Sequence, residues 1–193
     1  MAFHFLKPEP ETIEKRLRVI EEISERTSKF WRKAHGWAPK EAADLLSKSR
    51  LDWLDSFNRT LRARVEEVTE HPDGPAVLIL AWAHLRTLVE GHLKLFLAVF
   101  LVDYLNDAHA PTTKNGATIV PDTLKYEAIR QFLVKRGLLV SHYAFIDKVQ
   151  NRGNTIHAFA EKPIGTAEEY LENVANYREF LADIETSLPN PYV

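Results

Sequence analysis

Apolar residues recur along this chain at spacings of three and four, the period of an α-helix whose one face is buried. Ile13, Leu17, Ile20 and Ile23 lead to Phe30-Trp31 with charged residues between them, which predicts an amphipathic helix within 8–35, opened by Pro8 and Pro10 and ended by Gly36 and Pro39. A short helix over about 40–47 follows. A longer one over about 50–70 carries the stripe Leu51, Leu54, Phe57, Leu61, Val65 and Val68. His71-Pro72-Asp73-Gly74-Pro75 then stops one helix and starts the next. We place a boundary here between an N-terminal helical extension, 1–72, and a main bundle, 73–193.

Residues 75–106 read as one long helix, apolar nearly all round, as a helix buried in a bundle is. Pro111, Lys114-Asn115-Gly116 and Pro121 mark a loop over 107–121. Asp122 is placed to cap a helix running to about Lys135 and closed by Gly137, and Ser141 to cap the next. Lys162-Pro163-Ile164-Gly165 is a turn, and Thr166-x-x-Glu169 is a capping box opening a last helix to about Leu188. Tyr170, Val174, Tyr177, Leu181 and Ile184 form its stripe. The expected fold is all-α, with an up-and-down four-helix bundle after residue 72, because short links favour antiparallel neighbours.

Polar residues inside this apolar pattern are the informative ones. Arg86, Glu90 and Lys94 lie four apart and form one ridge of the long helix, either a salt-bridge ladder or a polar ridge facing a site. Arg59, Arg62 and Arg64 read as a solvated face, with a phosphate-tracking patch as the other reading. The densest cluster is Val149-Gln150-Asn151-Arg152-Gly153-Asn154-Thr155-Ile156-His157-Ala158-Phe159. It sets a guanidinium, a planar donor fork suited to phosphate, five residues from an imidazole able to move protons near neutrality. On a regular helix the two stand roughly 140° apart, on opposite flanks of the stripe Phe145, Ile146, Val149, Ile156. A helix break at Gly153-Asn154, or a second copy across a two-fold axis, brings them together. The structural alternative pairs Arg152 with an acid such as Asp147 or Glu90 and leaves His157 to cap or fill a helix seam.

Bulk properties narrow the class. With 193 residues and 45% hydrophobic content the chain can build a core. It holds no cysteine, so it has neither disulfides nor a thiolate metal site, which is in keeping with a cytoplasmic location. The N-terminal residues lack the pattern of a signal peptide, and the longest apolar run, Leu95 to Val102, is too short for a membrane span. His84 and His92 lie eight apart without further ligands, so no metal and no cofactor are expected. Net charge is −2, with 14 basic against 13 acidic residues up to Pro72 and 11 against 14 after it. No broad basic coat exists, so any RNA site is local.

Arg152, four intervening residues and His157 resemble the Arg-x4-6-His signature of the HEPN superfamily. The form Gly153-Asn154-x-x-His157-Ala158 is similar to a branch found near defence and restriction systems, whereas many catalytic members have a polar residue where this chain has Gly153. Glu90-x3-Lys94 and Arg86-x3-Glu90 resemble first-helix elements of HEPN proteins. The resemblance covers about 75–188. It implies a four-helix bundle with the motif at the end of the third helix, and a homodimer with two motifs face to face. It further implies metal-independent cleavage of single-stranded RNA, with His157 as general acid/base, Arg152 on the phosphate and Asn154 orienting His157 or holding a phosphate oxygen. By the same analogy the role is that of a toxin or antiphage-defence effector, with an antitoxin or defence-system protein as a further partner. The alternative within the resemblance is an inactive HEPN-like bundle that binds a nucleotide or a protein.

Overall fold

The computed structural model describes residues 11–156 and 162–189, and these are all-helical. Eight α-helices follow in order among them: α1 Ile13–Trp31, α2 Lys40–Lys48, α3 Leu51–Glu70, α4 Pro75–Val99, α5 Leu101–Leu105, α6 Tyr126–Arg136, α7 Tyr143–Gly153 and α8 Ala167–Ser187. Local chemistry sets several ends. Thr12 accepts from the Lys15 amide at the start of α1, and Pro75 opens α4 from its first position. Gly137 closes α6 in the left-handed conformation, at φ 62°. None of the described helices is long and apolar enough to cross a membrane.

Three expectations about ends give way. The 75–106 helix breaks at Phe100, whose ψ of 33° leaves the helical range, and α5 begins at the next residue. The run Leu95 to Val102 is apolar on every face, so no periodicity marks the break. The turn lets Leu101 and Tyr104 bury and lets the Tyr104 hydroxyl donate to the Ile119 carbonyl at 2.7 Å. Asp122 caps no α-helix, since it lies in a 3-10 turn, Pro121–Thr123, and α6 starts three residues later. Ser141 likewise falls inside a 3-10 turn, Val140–His142, that leads into α7.

α4 is the central element, packing against α2, α3, α6, α7 and α8, while α1 lies on α3 and α8. One hydrophobic core runs through residues on both sides of Pro72, from Leu17, Ile20 and Leu61 to Trp82, Leu88 and Phe180. The turn at 71–74 therefore joins two helices that share this core. Phe57, expected in the α3 stripe, is 46% exposed against the His84 ring. Asn58 takes the inward position instead and is buried.

That inward asparagine belongs to a polar chain crossing the core. Its amide nitrogen donates to Ser24 Oγ at 2.9 Å and to the Leu54 carbonyl at 3.0 Å, so its oxygen is free to accept. Tyr177 Oη donates to that oxygen at 2.7 Å. Having spent its single proton there, the Tyr177 oxygen accepts from His92 Nδ1, 3.2 Å away, which also reaches the Leu88 carbonyl at 2.9 Å. Four helices, α1, α3, α8 and α4, are joined by this one network.

Candidate functional site at the end of α7

Arg152 occupies the last turn of α7, and the helix stops at the next residue. Asn154–Ile156 continue as a 3-10 turn, whose changed phase buries Thr155 and leaves Ile156 exposed, against the expectation that Ile156 extends the apolar stripe. The Thr155 hydroxyl donates to the Arg152 carbonyl at 2.6 Å and closes the turn. The break at Gly153-Asn154 is thus real. His157 lies outside the described residues.

Gly153 has a packing reason. It is buried against α4, and a Cβ built there would stand 2.5 Å from both Cβ and Cδ of Arg86. Only a residue without a side chain lets α7 lie this close to α4. Arg86 therefore meets the motif directly, through its aliphatic stem, while its guanidinium sits 5.1 Å from the centre of the Tyr126 ring. The ridge also forms its ladder. Glu90 lies 2.9 Å from Lys94 and 3.6 Å from Arg86. Lys94 lines a separate groove with Leu45, Leu54 and Gly91, so Glu90 and Lys94 lead away from Arg152.

The partner of Arg152 is neither Asp147 nor Glu90. Asp147 accepts from Arg130 of α6 at 3.1 Å, beside a second tie in which Gln150 donates to Glu127 at 2.8 Å. Arg130, Gln150 and Gln131 hold the Glu127 carboxyl down at about 2. Arg152 turns to α8. Its Nη2 donates to both oxygens of Glu169, at 3.1 and 2.9 Å, and its Nη1 to the Pro163 carbonyl at 2.5 Å. Lys148 Nζ lies 3.3 Å from the same carboxylate. Burial pushes the Glu169 carboxyl up, but hydrogen bonds and charge from Arg152 and Lys148 outweigh it and hold the group below its ordinary value.

Glu169 reaches this position because the turn before α8 is tight. Gly165 stands at φ 77°, and a Cβ there would meet Glu169 Oε2 at 2.3 Å and Arg152 Nε at 3.1 Å. Half of the expected capping box is present: Thr166 Oγ1 accepts from the Glu169 amide at 3.1 Å. The Glu169 side chain, which would complete the box by folding back, is bound to Arg152 and Lys148. Sequence reasoning saw Glu169 as a cap and missed it as the counter-charge of the motif. Its place a few residues beyond a short turn that follows the motif was the available signal.

Around this pair opens a depression of about 580 Å³. Among the described residues, Lys148, Arg152 and Lys162 line it with three cations, Asn151 and Asn154 with two amides, and Glu169 with one carboxylate. Asn154 and Lys162, on either side of 157–161 in the sequence, both face it. These cations and amide N–H groups suit an anion with several oxygens. The other basic cluster differs. Arg59 pairs with Glu25 at 3.2 Å and Asp55 at 3.3 Å, Arg62 with Glu21 at 3.3 Å, and Arg64 with Glu67, so this face is a salt-bridged surface.

Comparison with protein-family models, with curated proteins and with solved structures finds no match for this chain.

Proposed function

We propose that the chain is a HEPN-like protein that cleaves single-stranded RNA without a metal ion, with α4, α6, α7 and α8 as its four-helix bundle and α1–α3 as an added layer. The observation that carries this reading is the depression at the end of α7, where Arg152 and Asn154 of the motif stand with Lys148, Lys162 and Asn151. In this reading the ribose 2′-oxygen attacks the adjacent phosphorus and the 5′-oxygen leaves. A 2′,3′-cyclic phosphate and a 5′-hydroxyl result. Arg152 and Lys148 hold the non-bridging oxygens and stabilise the charge that builds on them. Asn154 donates to a phosphate oxygen, and His157 moves the proton between the 2′-oxygen and the leaving oxygen.

A second reading, an inactive module that binds a nucleotide or an acidic protein segment, draws on a specific feature: Arg152 is already hydrogen-bonded to Glu169 and to the Pro163 carbonyl. The two separate in one experiment. Labelled single-stranded RNA is incubated in excess EDTA with wild type, Arg152→Ala and His157→Ala. The ribonuclease reading expects cyclic-phosphate ends from wild type only, with at least a hundredfold loss, about 10²–10³, in either variant. Equal cleavage by wild type and both variants would remove Arg152 and His157 from the chemistry. RNA that is retained by the protein but never cut would favour the binding module.

A further inference from the structure

Both terminal nitrogens of the Arg152 guanidinium are engaged inside the protein. Nη2 serves both oxygens of Glu169 and Nη1 serves the Pro163 carbonyl, while Lys148 approaches the same carboxylate. Both members of the pair are about four-fifths covered, with side-chain exposures of 21% for Arg152 and 19% for Glu169. One carboxylate is thereby shared by two of the cations among the described lining, Arg152 and Lys148, and offsets one unit of their charge from within the wall. A carboxylate presents two oxygens that share a single negative charge. The non-bridging oxygens of a phosphodiester do the same, and a guanidinium fork donates to either.

We infer that Glu169 is an internal stand-in for the phosphodiester, holding Arg152 and Lys148 in place and giving way when the phosphate group of an RNA strand enters the depression. The inference rests on the reading that this depression receives RNA phosphates, and it adds the residue that sets how tightly. While seated, Glu169 keeps the guanidinium oriented, so little ordering is left for the ligand to impose. It also repels the incoming anion and must surrender its own hydrogen bonds. A single phosphate competes poorly on these terms. A strand that also engages Lys162 and the two asparagines competes better.

Glu169→Gln is the direct test, because glutamine keeps an acceptor oxygen for Arg152 and drops the charge. The probe is a short single-stranded oligoribonucleotide, 2′-O-methylated throughout and fluorescein-labelled, read by anisotropy at fixed salt. Methylation removes the attacking hydroxyl, so binding is measured apart from cleavage. Glu169→Gln is expected to bind about fivefold or more tightly than wild type, and adding Arg152→Ala to it should abolish the gain. Equal or weaker binding by Glu169→Gln with unchanged helicity, or no binding by either protein, overturns the inference. Should the variant lose helicity, the Glu169 carboxyl ¹³C resonance of the wild type decides. Its displacement at saturating probe supports exchange, and an unmoved signal overturns it. Tighter binding by Glu169→Gln with no cleavage of unmodified RNA would keep this inference and sink the ribonuclease reading. Cleavage by wild type with no gain in affinity would do the reverse.

Discussion

Gly153 and Gly91 are both helical glycines on the surfaces where α4 meets a neighbour, yet they carry different burdens. A Cβ at Gly91 would meet Leu54 Cδ1 at 2.6 Å, the far end of a rotatable side chain that can swing aside. A Cβ at Gly153 would meet Arg86 Cβ at 2.5 Å, an atom fixed to the α4 backbone. Replacing either with alanine gains roughly 1 kcal/mol of helix propensity. At Gly153 that gain is overtaken by the separation of two helices, and we expect Gly153→Ala to destabilise by about 1–3 kcal/mol, with Gly91→Ala near neutral. Urea unfolding of the two variants checks this, and equal midpoints would show that α7 yields without cost. Glycine directly after Arg152 is thus a matter of how closely α7 approaches Arg86.

The start of α8 shows how one helix end can serve two purposes. Its N-cap is Thr166, whose hydroxyl accepts from the Glu169 amide, and its first turn holds Glu169, whose carboxylate holds Arg152. Thr166→Ala removes the cap and should cost about 1 kcal/mol. Because the cap also fixes where Glu169 begins its reach, the variant should loosen the tie between α7 and α8. Thermal unfolding together with amide exchange at Glu169 and Tyr170 measures both effects. A lowered midpoint with unchanged exchange in this turn would mean the cap acts elsewhere. Element existence was legible in the periodicity: every expected helix is present in the described chain, including the short one at 40–48. The break at Phe100 was not, since the run around it is apolar on every face, and the starts of α6 and α7 were misplaced, since the cap signals Asp122 and Ser141 fall in 3-10 turns ahead of both helices.

Across the whole molecule, the network Ser24–Asn58–Tyr177–His92 binds the N-terminal helices to the rest of the bundle. Burial pushes the His92 imidazole down to about 4, against 6.5 when exposed, with its bond to the Leu88 carbonyl opposing. The sign follows from proton counting. Below pH 6.5 the unfolded chain takes up a proton at His92 that the folded chain refuses, so stability falls as pH drops from about 6.5 towards 4. The full loss amounts to about 3 kcal/mol. His84, whose pKa burial also lowers, adds to the same slope. Subtracting the profile of His92→Gln from that of wild type isolates the His92 share. Parallel urea-unfolding profiles between pH 7 and 4.5 would contradict it.

What the sequence by itself determined is the all-α class and the position of most helices, because periodicity, glycine and proline act locally. Tertiary structure alone decided three things. It made the residues before and after Pro72 share one core, because the apolar stripe of α1 finds its partners in α3 and α8. It turned Asn58 and His92 inward, because a polar residue can be buried wherever distant donors and acceptors complete its hydrogen bonds. It gave Arg152 to Glu169 in preference to Asp147 or Glu90. Charges pair by distance in space, and the turn at 162–165, with Gly165 beside the carboxylate, brings the start of α8 to the end of α7.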